Sequence, residues 1–137
     1  MGFFLEPRVK LETPSLLITD DDRDFRETLA GVFASRGFHT VLARDGQEAL
    51  DILQQEPVHL LLLDMHMPRL TGLETIRRIR EMQLPLPCIL LSGALDRTIE
   101  AEARAAQAFS VFSKPIRLPD ITGAVRAALR QTYGWSG

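Results

Sequence analysis

The sequence predicts an α/β fold, a parallel sheet covered by helices on both faces, within a single domain of a 137-residue chain. Three observations lead there. Short apolar runs alternate with stretches of helical period, and such βα alternation builds a parallel sheet with right-handed crossovers. Leu60-Leu61-Leu62-Leu63 is apolar without a break, the pattern of a strand buried on both faces. Three of the runs also end in acidic, hydroxyl or basic residues, and open α/β sheets gather their chemistry at the carboxyl ends of strands.

Residues 1–14 mix Phe3, Phe4 and Leu5 with charges and two prolines, show no sustained period, and read as a tail. Ser15 to Thr19 is the first strand, and Asp20-Asp21-Asp22 follows it directly. Phe25, Leu29, Val32 and Phe33 recur at helical spacing, and Gly37 stops that helix. His39 to Ala43 is a second strand. Asp45, with Glu48 three residues on, starts a helix whose inner face is Ala49, Ile52 and Leu53 and which Pro57 ends. The Leu60 to Leu63 strand delivers Asp64, and Pro68 and Gly72 punctuate the loop after it.

Beyond Gly72, Leu73, Ile76 and Ile79 form a buried stripe, while Arg77, Arg78 and Arg80 read as a solvated face. Pro85 and Pro87 break that helix, and Cys88 to Leu91 is a fourth buried strand ending in Ser92-Gly93. Asp96 caps a segment from Arg97 to about Ala106 that is alanine-rich, anchored mainly by Ile99, and expected to pack least firmly. Phe109 to Ser113 is the fifth strand, ending in Lys114-Pro115. Pro119 suits the first position of a last helix with Ile121, Val125, Ala128 and Leu129 inside. The domain is expected over 15–131, with 132–137 a tail or the start of a linker and Tyr133 to Gly137 frayed.

Composition narrows the function. The chain is 45% hydrophobic and 25% charged, as expected of a soluble globular domain with a core. Net charge is -2 with both signs interspersed, so no basic stripe suggests that this segment contacts nucleic acid. Cys88 is the single cysteine, which excludes an internal disulfide framework; with no signal peptide it suggests a reducing cytoplasm. No apolar run approaches the ~20 residues of a membrane-spanning helix. Only Lys10 and Lys114 are lysines among 16 basic residues, so a lysine at a strand end invites a chemical reason.

A lone Asp64 after an apolar run would most simply cap a turn. Its neighbours change that reading. If Asp20, Asp21 and Asp64 meet at one end of the sheet, two carboxylates roughly 5 Å apart repel by about 3 kcal/mol at an effective dielectric of 20. A cation or shifted protonation must compensate. Magnesium, which takes oxygen ligands from one or two carboxylates and a phosphate, fits this set better than calcium or zinc. Asp22 reads as a helix cap. Ser92 adds a hydroxyl and Lys114 an ammonium, and phosphoryl transfer needs this charge stabilisation, with Asp64 as the nucleophile.

Asp20-Asp21, the loop from Asp64 through Pro68 to Gly72, Ser92-Gly93 and Lys114-Pro115 resemble the motifs of response-regulator receiver domains, the CheY-like superfamily. The resemblance covers about Ser15 to Gln131. It implies a flavodoxin-like (βα)5 fold of strand order 2-1-3-4-5 and a role in two-component signal transduction. Asp64 would accept a phosphoryl group from a histidine kinase, a phosphotransfer protein or a small phosphodonor. Asp21 and Asp64 would ligate Mg2+ directly, His66 through its backbone carbonyl and Asp20 through water. Ser92 would bond a phosphoryl oxygen, Lys114 would pair with the phosphate, and Pro115 would follow a cis peptide bond.

Some positions depart from the family pattern. An aromatic residue on the fifth strand usually follows the hydroxyl at the Ser92 position. Here Val111 stands in that place, leaving Phe109 or Phe112 as candidate rings. Gln107 replaces a frequent Gly. His66 and Ala94 lie where such domains tune phosphate lifetime, and neither is a strong water-orienting group, so slow to moderate self-dephosphorylation is expected. The chain is not expected to be an enzyme beyond assisting its own phosphorylation and dephosphorylation. Its partners would be a kinase or phosphotransfer protein and a downstream effector, whether separate or following Gly137. Two other classes share parts of this pattern. A magnesium-dependent phosphohydrolase commonly has a second Asp two residues after its nucleophile, where this chain has His66. A pseudo-receiver would lack the acceptor, the lysine or the acid pair, and all are present.

Overall fold

A computed structural model describes residues 13–137, so the tail expected over 1–14 lies outside the described residues except for Thr13 and Pro14. Pro14 is buried, and its carbonyl accepts the His39 N–H at 3.0 Å, so the chain is already tied to the sheet there. In chain order the elements are β1 (Ser15–Thr19), α1 (Arg23–Ala34), β2 (His39–Ala43), α2 (Gly46–Leu53), β3 (Leu60–Asp64) and α3 (Gly72–Glu81), followed by β4 (Cys88–Ser92), α4 (Arg97–Ala105), β5 (Ser110–Ser113) and α5 (Leu118–Tyr133). The strands are parallel, as the sequence predicts, in the order β2-β1-β3-β4-β5 that the family resemblance implies.

Winding reverses between β1 and β3, and this divides the core into two layers. Leu16, Ile18, Leu60 and Leu62 pack with Phe33 of α1 and Val125 and Leu129 of α5. Leu17, Leu61, Leu63 and Leu90 pack on the other face with α2 and α3. Alternate residues of one apolar strand thus serve opposite layers, so β1, β3 and β4 need apolar side chains throughout. The same reversal sets the carboxyl ends of β1 and β3 side by side.

Helix starts follow local chemistry. Asp22, Asp45 and Asp96 each accept backbone N–H groups at the first turns of α1, α2 and α4. Thr71 and Glu74 close a reciprocal capping box on α3, a Thr-x-x-Glu signal present in the sequence beside the more obvious Gly72.

Several expectations are corrected. β5 begins at Ser110 rather than Phe109, and Leu118 precedes Pro119, which is tolerated at the second helical position because its missing N–H would have no intrahelical partner there. Tyr133 does not fray: it is buried at the end of α5 and its hydroxyl donates to the His59 carbonyl at 2.7 Å. α4 is lightly packed, as expected, but its one buried residue is Ala103, with Ile99 half-buried beside it. Arg80 is not part of a solvated face. Its guanidinium donates to the carbonyls of Leu84 and Leu86 at 2.8 Å, Gln107 at 2.9 Å and Ala106 at 3.3 Å, joining the end of α3 to the turn after α4.

Candidate functional site

The carboxyl ends of β1, β3, β4 and β5 converge on one cluster. Asp20 follows β1, and its own N–H donates to the Ala43 carbonyl at 3.1 Å. Asp64 ends β3 and Ser92 ends β4; the three are 2%, 5% and 0% exposed. Lys114 follows β5, its backbone N–H donating to the Ser92 carbonyl at 2.8 Å, and its bond to Pro115 is cis. Gly72 lets the loop after Asp64 fold tightly, since a Cβ there would lie 2.5 Å from both the Asp64 carbonyl and Leu90 Cδ1. Only glycine fits so close an approach of α3 to the end of β3.

Lys114 Nζ lies 2.9 Å from Asp20 Oδ2 and 2.9 Å from Asp64 Oδ1, with the Phe25 ring 4.1 Å away on its flank. Asp64 Oδ2 accepts the His66 N–H at 3.1 Å. Asp20 Oδ1 accepts the Asp22 N–H at 2.9 Å, and Arg26 donates to the Asp20 carbonyl at 2.6 Å. Asp21 is exposed, yet ligand oxygens of Asp20, Asp21 and Asp64 all lie within 4.8 Å of one another. These donors are hard oxygens with a surplus of negative charge over the one lysine, which suits magnesium. Among the described residues, no other group of three or more His, Cys, Asp or Glu side chains converges in this way.

Burial holds the Asp20 carboxyl above its ordinary range, against the opposing bonds from Asp22 and Lys114. Burial also works against the Lys114 ammonium, but its bonds to Asp64 and Asp20 outweigh that and raise its pKa. The first direction opposes the charged pair and the second favours it. The geometry decides for charge, because one ammonium sits at hydrogen-bond distance from two carboxylates.

The sequence-predicted set Asp20, Asp21, Asp64, His66, Ser92 and Lys114 is therefore gathered in one place, with Pro115 beside it. The His66 ring, expected only at a position that tunes phosphate lifetime, also contacts Ser92: its Nε2 lies 3.2 Å from Ser92 Oγ. Val111 is half-buried on the α4 side of β5, whereas Phe109 and Phe112 pack toward α1 and α5. Phe109 also borders a cleft with Glu100, Ala103 and Arg104 of α4, beside Val111.

Residues 16–126 match the response regulator receiver domain family. The chain belongs to that family. Among its relatives, the response regulator RR06 of Streptococcus pneumoniae is 33% identical over 119 residues, covering 87% of this chain and 54% of the relative. MprA, a response regulator of Mycobacterium tuberculosis, is 36% identical over 117 residues, covering 85% of this chain and 51% of the relative. The chain thus spans about half the length of the curated relatives it matches. The CheY-like receiver protein of Methanospirillum hungatei superposes with a TM-score of 0.84 at 20% identity, covering 88% of this chain and 97% of its own. A response regulator receiver protein from Pseudomonas putida gives 0.81 at 28% identity, covering 85% and 98%. Receiver domains are signalling modules of two-component systems rather than conventional enzymes, and their chemistry is phosphorylation of an aspartate. Among the described residues, no helix is long and apolar enough to cross a membrane.

Proposed function

We propose that Asp64 is the aspartate that receives the phosphoryl group, in a magnesium-dependent transfer from a histidine kinase or phosphotransfer protein. The observation that carries this is the Asp64 carboxylate itself, ending a buried strand with Lys114 on one oxygen, the His66 N–H on the other, and Asp20 and Asp21 alongside. An Asp64 oxygen attacks phosphorus and forms the acyl phosphate. The bond from phosphorus to the donor nitrogen breaks, and its electron pair stays on that nitrogen, which takes up a proton. Lys114, already 2.9 Å from Asp64, is placed to follow the charge onto the phosphoryl oxygens.

Asp21 and Asp64, with the His66 carbonyl and Asp20 through water, are the residues that would hold magnesium, which when bound offsets the clustered negative charge. Ser92 serves as hydrogen-bond donor to a phosphoryl oxygen. With neither His66 nor Ala94 suited to orient an attacking water, the acyl phosphate outlasts a scale of seconds. The consequence of phosphorylation is a shift of the surface formed by α4, β5 and α5 toward an effector domain or protein. α4 supports this reading, since Ala103 is its one buried residue. The reading includes a cytoplasmic location, in keeping with the single thiol of Cys88. A phosphohydrolase reading is weakened by His66, which stands where a second acid would be needed and turns its ring to Ser92.

The test is incubation with magnesium and a small phosphoryl donor such as acetyl phosphate, followed by intact-protein mass spectrometry. A single phosphoryl adduct, lost in chelator, is expected. No adduct on the unmodified chain at any magnesium concentration would remove this function.

A further inference from the structure

We propose that the His66 imidazole occupies the phosphoryl-binding side of Ser92 in the resting protein, so that an incoming phosphoryl oxygen must displace it. This rests on Asp64 being the acceptor. His66 spans the gap between the two groups a phosphoryl would join: its backbone N–H is on Asp64 Oδ2 at 3.1 Å, and its Nε2 is 3.2 Å from Ser92 Oγ. Ser92 Oγ is buried and also accepts the Ala94 N–H at 3.2 Å. Those are its hydrogen-bond partners among the described residues.

A serine hydroxyl has one hydrogen and two acceptor lone pairs. With Ala94 on one lone pair, the ring takes either the second lone pair or the hydrogen, according to its tautomer. In both cases Ser92 is held toward His66. A phosphoryl on Asp64 that reaches Ser92 must pass between Asp64 Oδ2 and Ser92 Oγ, the space His66 borders on both sides. His66 is exposed, so its ring can turn out to solvent without unpacking the core. Ala94 lies two residues before Asp96, the cap of α4, and a turn of Ser92 away from Ala94 reaches that helix directly. His66 is thus a positioning residue whose displacement accompanies the switch, in a chain whose Val111 offers Ser92 no polar partner.

The test uses beryllofluoride with magnesium as a non-hydrolysable stand-in for the phosphoryl group, measured by titration calorimetry on the full chain. Loss of one competing hydrogen bond should let His66→Ala bind beryllofluoride about two- to tenfold more tightly than the unmodified protein, and His66→Gln, which can still reach Ser92, should fall between them. In a Ser92→Ala background, His66→Ala should change affinity by less than about twofold, because the contact it removes is already gone. The His66 ring signals in NMR should move when beryllofluoride binds, and in Ser92→Ala should start at the displaced position. Equal or weaker binding by His66→Ala, or ring signals unmoved on adduct formation, would overturn the proposal while leaving the acceptor role intact. Absence of any adduct on the unmodified protein would overturn both.

Discussion

Replacing Lys114 with Met tests the electrostatics of the cluster most severely. The lysine joins Asp20 and Asp64 at 2.9 Å each, with its own side chain 24% exposed and the two carboxylates 2% and 7%. Without it, carboxylate oxygens within 4.8 Å of each other lose their cation. At an effective dielectric of 20 their mutual repulsion is about 3.5 kcal/mol, and breaking a buried pair by removing one partner typically costs about 3–5 kcal/mol. The partial exposure of Lys114 argues for the lower figure, so a loss of about 3 kcal/mol is expected at pH 7 in chelator. Urea unfolding with an unchanged m-value measures it.

Two conditions should restore part of that loss. Millimolar magnesium should stabilise Lys114→Met more than the unmodified protein, because it replaces the missing cation. Acid should help as well. With the lysine gone, the Asp20 carboxyl, raised by burial, loses a bond that lowers it, so the folded state binds more protons and the deficit shrinks as pH falls toward the unfolded carboxylate range near ~4. Asp20, already held high by burial, is the group expected to take the proton. A variant as stable as the unmodified protein at pH 7, or one indifferent to both pH and magnesium, would refute the reasoning.

Three further outcomes follow from other parts of the molecule. Arg80→Met should lose about 1.5–3 kcal/mol in urea unfolding, because four carbonyls at the ends of α3 and α4 lose a charged donor and water satisfies them only in part. Gln107→Gly should gain about 0.5–1 kcal/mol, since Gln107 sits at φ 62 in the left-handed region and glycine adopts that conformation without the Cβ penalty, at some entropic cost. His59 is buried and its Nδ1 accepts the Ser15 N–H at 2.8 Å, so the ring is neutral and burial lowers its pKa. The unfolded state then binds more protons, so stability should hold above the unfolded histidine value near ~6.5 and fall below it by at most about 1.4 kcal/mol per pH unit. Urea midpoints between pH 5 and 8 check the sign, with His59→Asn as the control that flattens the slope.

How far the sequence could be read is clearest residue by residue. Leu60 to Leu63 and Asp64 announced both a buried strand and a site because one short segment holds both signals, and strand order then brought Asp20, Asp64 and Lys114 together. Caps at Asp22, Asp45 and Asp96 were legible because a cap is a local contact. Arg80 was not: a guanidinium reaching Gln107, 27 residues away, looks in sequence like one more charge on a polar face. Tyr133 was missed for the same reason, its partner His59 lying 74 residues back. The His66 ring contact with Ser92 spans 26 residues and follows no period. Val111 could be seen as a departure from sequence, but which face Phe109 and Phe112 take depends on how β5 meets α1 and α5.

The central claim is that one carboxylate, Asp64, carries the phosphoryl group, and mapping the modified residue tests it most directly. After phosphorylation with magnesium, borohydride reduction converts an acyl phosphate to a stable alcohol in place of the carboxyl group. Trypsin then releases the peptide from Asp45 to Arg69 for sequencing by mass spectrometry. The reduced residue should lie at position 64, and Asp64→Asn should yield none. Reduction at Asp20 or Asp21, or an undiminished yield from Asp64→Asn, would contradict the account.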